Sequence, residues 1–538
     1  MTLFFLCFYL FFLDHCLFWG YHNIRMDDLP KENLPEENQS GTSGEIFSSE
    51  PESPYQQVIS APEATTSSVP FMQQEGPSQP LYDASSSGFP PSEETAAPPP
   101  PYIEDTKKKY IFIAIILIII LVLLVGIIKF IRRKTPAANG NVTLTYWGLW
   151  EDKQNIQPII DEYQRVNSRI TINYILQDKK QYRERLQAAI ERGEGPDIFR
   201  FHNTWVPMLI RNLAPIPKTT LSNEEFMTTF YPVALNDLKI GDNLHGIPLE
   251  IDGLLLFYNE DILRSSNVPV PSTWTDIMNA ASKLTVKEKG RIITAGIALG
   301  TAENIEHFSD ILGLMFLQNG VQITNSLFSC SDKTKINCAV DALTFYRTFA
   351  DPPDNSWDDT LENSILAFAG GRAAMIFAPS WQVFTIKAIN SNLNFKTTQV
   401  PQLPCDRQPC LAVNWASYWV EGVSNRSKYQ QESFEFLKYL SQDSTMKKIY
   451  ELQVKSRQLF GEPYSRVDLG QSLTDNSYLA PLIAQAPTMK SFYLASRTHD
   501  GETGLNTTLI KYLQDAVNSL SAGVSPETAL HTSSAGFK

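Results

Sequence analysis

Gly246-Ile247-Pro248-Leu249-Glu250-Ile251-Asp252-Gly253-Leu254-Leu255-Leu256-Phe257-Tyr258-Asn259-Glu260-Asp261-Ile262-Leu263 is the stretch whose reading decides the fold. Two carboxylates stand two positions apart near its start, and an apolar run follows them. In an extended segment residues i and i+2 share a face, so Glu250 and Asp252 point one way while Ile251 points the other. Buried Asp and Glu are rare unless paired. Two readings follow for the acids: a half-exposed edge strand, or the floor of a polar cleft. The apolar run after them reads as a buried strand.

The chain around this stretch has 538 residues, 43% of them apolar, which is enough for two or more domains and a sizeable core. Its formal net charge of −13 is unevenly placed. Between Met26 and Thr106 there are fifteen Asp or Glu against Lys31 alone, a local −14. No basic face of the kind that nucleic acid requires is left over.

Residues 1–25 begin with an apolar run broken by Asp14 and His15, with no basic start and no small-residue cleavage site. They read either as a weak first membrane segment or as an extension ahead of a true start at Met26. Residues 26–109 are acidic and rich in Pro and Ser, and end in Pro98-Pro99-Pro100-Pro101-Tyr102 before Lys107-Lys108-Lys109. Such a tail cannot bury enough apolar surface to offset its chain entropy, so disorder is expected. The proline run reads as a stiff solvated linker ahead of a ligand for a polyproline-reading module. From Tyr110 to Ile128 the sequence is uninterruptedly apolar, which predicts a transmembrane helix over 110–131. Lysines and arginines flank it on both sides, so charge does not set its orientation. Residues 132–141 form a linker that reaches at most about 30 Å.

From 142 onward strand-like and helix-like segments alternate. Val142–Trp147 and Ile170–Ile175 read as strands, Asn155–Val166 and Tyr182–Arg192 as helices, and Gly195-Pro196-Asp197-Ile198-Phe199 opens the next strand. The alternation argues for βαβ units and a mainly parallel α/β sheet. Ligands in such sheets sit beyond the carboxyl ends of the strands, here Trp147-Gly148-Leu149-Trp150-Glu151 and Phe201-His202-Asn203-Thr204-Trp205.

These residues resemble a known family. Thr145-Tyr146-Trp147-Gly148, Gly195-Pro196-Asp197-Ile198, Gly246-Ile247-Pro248, Phe257-Tyr258-Asn259-Glu260-Asp261-Ile262-Leu263, Pro271-Ser272-Thr273-Trp274-Thr275-Asp276-Ile277 and Gly371-Arg372-Ala373-Ala374-Met375 occur in the order seen in the extracellular solute-binding proteins of ABC importers. The likeness is to the carbohydrate-binding branch that includes maltose-binding protein, and it covers 142–538. It implies a two-lobed α/β periplasmic-binding-protein fold with hinge crossings, whose lobes close around ligand as periplasmic binding proteins generally do. It implies lobe one at about 142–249 and 412–461, lobe two at about 254–408 and 462–538, and a hinge at 249–254.

A sugar presents apolar ring faces and hydroxyl edges, so its site mixes aromatic side chains with acids, amides and histidines. Eight of the nine Trp fall in this domain. The resemblance places a cleft carboxylate at Asp252 and a stacking ring at Trp381. It places hydroxyl-reading groups at His202, Asn203, Trp150 and Glu151, loop contacts at Glu303 and Asn304, and re-entry contacts at Trp415 and Tyr418. Pro379-Ser380 stands where the family more usually has glycine, and Trp274 is assigned to packing.

Cys330/Cys338 and Cys405/Cys410 form two close pairs, which read as disulfides of an oxidising exterior or as reduced thiols. Cys405 and Cys410 lack further ligands for zinc nearby, so no metal and no cofactor is expected. The expected function is a membrane-anchored, single-pass receptor with its binding domain on the extracytoplasmic side, which passes a sugar or oligosaccharide to an ABC permease with a separate ATPase. The alternatives are a carbohydrate sensor or adhesin without transport, and a glycosidase using Glu250 and Asp252 as its two carboxyls.

Overall fold

The computed structural model describes residues 110, 113, 115–121, 123, 140–322, 330–332, 336–404 and 411–537. All belong to one of two units of the chain, Lys107–Lys538. The expected tail over 26–109, the segment 1–25, most of the linker and the Cys405/Cys410 pair lie outside the described residues. Of the span predicted at 110–131, the described residues up to Leu123 are helical with exposed side chains. No helix among the described residues is long and apolar enough to cross a membrane.

The folded part opens as β1 (Val142–Gly148), α1 (Lys153–Val166), β2 (Ile170–Leu176), α2 (Tyr182–Arg192) and β3 (Ile198–His202). In α1, Ile156, Ile159, Ile160 and Tyr163 recur at helical spacing and are buried against the sheet. Gly193 ends α2 in the left-handed conformation, φ 76°, where a side chain would be strained. A short strand β4 (Ile247–Pro248) closes this part, and the chain crosses to β5 (Leu254–Asn259). There follow α3 (Trp274–Leu284), α4 (Phe308–Gln318), α5 (Cys338–Thr348), β6 (Met375–Pro379), α6 (Gln382–Ile389) and β7 (Phe395–Thr398). The chain then crosses back through β8 (Asn414–Trp415) into β9 (Trp419–Val423) and α7 (Asp443–Arg457), and ends with β10 (Met489–Lys490) and α8 (Leu505–Ser521), among shorter helices.

Two sheets result. The first has the order β2-β1-β3-β9-β4, the second β6-β5-β7. The expected mainly parallel sheet holds for β2, β1 and β3 alone, which are joined by helical crossovers. β9 runs antiparallel to β3 and β4, because it enters from the other half, and β5 is antiparallel to both its neighbours. β5 is the buried strand read from Leu254–Phe257: the four side chains are at most 1% exposed, and Phe257 packs near Phe368 and Phe395. Asn259 then stops the strand by accepting from the amides of Asp261 and Ile262, which starts a helical turn. Trp274 packs in the core as expected, behind a capping box made by Thr273 and Asp276. Cys330 and Cys338 are joined as a disulfide.

Three passes connect the halves, and they pair with one another. The first pass, Leu249–Gly253, accepts on one side from Ser417 and gives on the other to Pro463, since Ser417 N donates to Asp252 O and Ile251 N to Pro463 O, both at 2.9 Å. Glu250 bridges Tyr464, and Gly253 bridges Ala416. A Cβ at Gly253 would lie 1.9 Å from the Trp415 carbonyl oxygen, so the close approach of two passes requires glycine there. In the third pass, 461–466, Ser465 Oγ donates to Pro248 O and Arg466 bridges Phe230.

Candidate functional site

A cavity of about 870 Å³ lies between the two sheets, over the passes. The half built on β1–β3 contributes Trp150, Lys179 and His202; the other half contributes Glu306, His307, Trp381 and Gln382. Its floor is made by Glu250, Asp252, Ser417 and Glu462 from the passes, and its far end by Ser496, Arg497 and His499. The two carboxylates of the opening stretch therefore do face one cleft. Both are also engaged by the protein itself.

Asp252 Oδ1 accepts from the amides of Gly253 at 2.7 Å and Ser380 at 3.0 Å, and Oδ2 accepts from Ser380 Oγ at 2.9 Å. These three donors take up most of the acceptor positions of the carboxylate. Burial pushes the Asp252 carboxyl up to about 6, partly offset by the donors. Asp252 thus clasps the end of β6 onto the first pass at the floor of the cavity. Asp252→Ala strips two buried amides and a buried hydroxyl of their acceptor, and the expected loss is about 2–4 kcal/mol in urea unfolding, with Asp252→Asn losing less. Equal unfolding midpoints for wild type and Asp252→Ala would refute the clasp.

Trp381, in contrast, is 41% exposed and lines the cavity. It is held from behind: the His307 ring meets it edge-on at 5.9 Å. His307 is fixed in turn by Ser496 Oγ at 2.8 Å on Nδ1 and Gln382 Nε2 at 3.2 Å on Nε2. Gln382 Oε1 is buried with no hydrogen-bond partner among the described residues. On the opposite wall Trp150 packs edge-on against Trp419 at 5.3 Å, with the Lys179 ammonium 5.7 Å from its ring centre. His202 lies below, with Thr204 Oγ1 2.8 Å from Nδ1 and Ser417 Oγ 3.1 Å from Nε2. Burial lowers its imidazole to about 3, so the ring is neutral at any physiological pH.

The remaining residues expected at the site are taken up by contacts within the protein. Trp415 borders the cavity but is 0% exposed; its Nε1 donates to Asp310 Oδ1 at 2.9 Å and its ring fits against Gly313, where a Cβ would come within 2.6 Å. Asn203 and Tyr418 are buried beside Asp237, which accepts from both side chains. Glu303 faces away and accepts from Gln514 and Asn518 near the end of α8, and Asn304 holds Trp357 Nε1 at 3.0 Å in the core. Glu151 sits behind the cavity wall, paired with Arg457. Sequence reading missed His307, Gln382, Trp419 and Lys179. Trp419 and Gln382 each stand one residue beyond an expected contact, so the register of the strand end or helix start, invisible in composition, decides which neighbour faces the cleft.

The sequence model of the family described as bacterial extracellular solute-binding protein matches residues 158–455. The multiple sugar-binding protein of Streptococcus mutans is 21% identical over 285 residues, which is 52% of this chain and 64% of that protein, less than two thirds of its length. The maltodextrin-binding protein MdxE of Bacillus subtilis is 21% identical over 345 residues, 61% of this chain and 76% of that one. The crystal structure of a cyclo/maltodextrin-binding protein complexed with maltotetraose shares the fold, with a TM-score of 0.58 at 14% identity over 75% of this chain and 98% of that one. The strand and helix order, the two sheets joined by three passes and the match over 158–455 agree, and the chain belongs to the bacterial extracellular solute-binding proteins.

Proposed function

We propose that this chain captures a sugar or oligosaccharide between its two halves and delivers it to an ABC permease with a separate ATPase. The observation that carries the reading is the half-exposed Trp381 ring set in a cavity of about 870 Å³ between the sheets. An aromatic face with His, Gln, Lys and Ser side chains around it suits the apolar faces and hydroxyl edges of a sugar. Relatives named for sugars and maltodextrin, and a neighbour of the same fold holding maltotetraose, support that ligand class. The passes at 249–253, 411–418 and 461–466 are the proposed hinge, and ligand favours the closed state by its higher affinity for it.

The proposed anchor is the apolar run within 110–131, with the binding domain on the extracytoplasmic side, where the family works. It replaces diffusion by a high local concentration near the permease. Hydrolysis is not part of the reading: Asp252 accepts from Gly253 and Ser380 and Glu250 Oε1 from the Trp419 amide, so the two carboxyls weighed as an acid/base pair are both tied to the protein. A thermal-shift panel of maltotetraose, mannobiose, monosaccharides, polyols and amino acids tests the ligand class. A saccharide at about 100 times its Kd is expected to stabilise by about 2.7 kcal/mol. A response to amino acids or polyols alone would sink the proposal.

A further inference from the structure

Behind the cavity wall, where the passes meet, four carboxylates and two guanidinium groups are packed together. Arg200 Nε, on β3, donates to Glu421 Oε1 of β9 at 2.6 Å, and its Nη1 lies 3.4 Å from Glu462 Oε1 of the third pass. Arg457 Nη2, at the end of α7, reaches Glu151 Oε1 at 2.7 Å and stands 3.7 Å from Glu462. Glu250 joins from the first pass, with the Trp419 amide 2.9 Å from Oε1 and Asp252 two residues on. From β1 Tyr146 stands beside Glu421, and from β2 the Tyr174 hydroxyl donates to the Glu151 carbonyl at 2.6 Å. Gln453, on α7, accepts from the Glu462 amide at 2.7 Å.

Charge does not balance in this cluster. Four acids face two permanent cations, all of them largely buried, and an excess of two negative charges out of water is far costlier than binding protons. Two carboxylate oxygens of the cluster, Glu151 Oε2 and Glu421 Oε2, are buried with no donor among the described residues, and of the two acids Glu151 has the Glu462 carboxylate as its neighbour. A void of about 20 Å³, room for one water, borders Glu151, Arg200 and Glu462.

We propose that this joint is a proton-binding site that links ligand capture to pH, with one proton held between Glu151 and Glu462 in the closed form. The linkage rests on reading the cavity as the ligand site. Glu250, Arg457 and Glu462 line that cavity, so a ligand that displaces its water dries the wall in front of the cluster. A drier wall favours the protonated pair, so ligand takes up a proton, and by reciprocity affinity falls as pH rises. The titrations agree in direction. Burial, then the nearby Glu462, push Glu151 up to about 7; burial also raises Glu250 well above the carboxylate range, while for Glu462 the two arginines outweigh burial and lower it. The native chain thus binds more protons at Glu151 than the unfolded chain between about pH 4.5 and 7, and loses stability as pH rises through that window.

The test uses the full-length chain, labelled with 13C at Glu carboxyls, and the variant Glu151→Gln. A carboxyl resonance with a midpoint near pH 7 is expected in the wild type and absent in the variant; all midpoints below about 5.5 would overturn the proton site. Calorimetry with maltotetraose is expected to give about fivefold weaker binding at pH 8 than at pH 6 in the wild type and equal binding in Glu151→Gln. Equal wild-type affinities overturn the linkage. If maltotetraose and the other saccharides do not bind at all, the ligand reading falls and the linkage with it, while the carboxyl titration still decides the proton site.

Discussion

Trp381→Ala is expected to weaken saccharide binding by about 30-fold or more, a cost of about 2 kcal/mol, while the thermal unfolding midpoint stays within about a degree of wild type. The two halves of this expectation come from one geometry. The ring is 41% exposed, so its truncation opens no core void, and its edge contact with His307 is a single face. What would be lost is the platform that the proposed sugar ring covers. Trp381→Phe keeps an aromatic face and is expected to recover most of the affinity. Calorimetry of the two variants against the saccharide that responds in the thermal-shift panel decides the matter. Unchanged affinity in Trp381→Ala would remove the stacking site, and with it the main support for a sugar ligand.

The second large effect is on stability. Arg200→Met is expected to cost about 3–5 kcal/mol, because it removes one partner of a buried ion pair and leaves the other charged group uncompensated. Arg200 and Glu421 have side chains 4% and 1% exposed, and they are 2.6 Å apart. The pair joins β3 to β9, strands that neighbour each other in the first sheet. Adding Glu421→Gln to Arg200→Met removes the orphaned acid, and the double variant is expected to regain part of the loss. Urea unfolding of the three proteins measures it; a double variant no more stable than the single one would show that the pair is not coupled in this way.

Much of the fold was legible because it is written in periodicity. Ile156, Ile159, Ile160 and Tyr163 announce α1, and the unbroken Leu254–Phe257 run announces a strand covered on both faces. The direction of β9 was not legible, since nothing local in Trp419–Val423 says from which half the chain arrives. The site was half legible. The resemblance brought Trp150, His202, Asp252, Trp381 and Trp415 to the cavity, where all five lie. Their roles differ, because the side chains available to a ligand depend on which donors the protein itself already uses. Asp252 is occupied by Gly253 and Ser380, and Trp415 by Asp310, contacts made mostly between segments far apart in the chain. The Pro379-Ser380 departure from the family's usual glycine was informative in this sense, for Ser380 supplies two of the three donors on Asp252. Glu303 and Asn304 were placed through a loop, whose register no spacing rule constrains.

The antiparallel return of β9 to β3 has a consequence for the chain as it is made. Glu421 and Arg200 are separated by 221 residues, so the first sheet cannot be finished until synthesis has passed through β5, β6 and β7 of the second sheet. At about 5–20 residues per second that interval is roughly 10–40 s, during which β3 has an unpaired edge and Arg200 no acid beside it. An unpaired strand edge invites association with other chains. Circular permutation that makes β9 next to β3 removes this wait and is expected to speed folding.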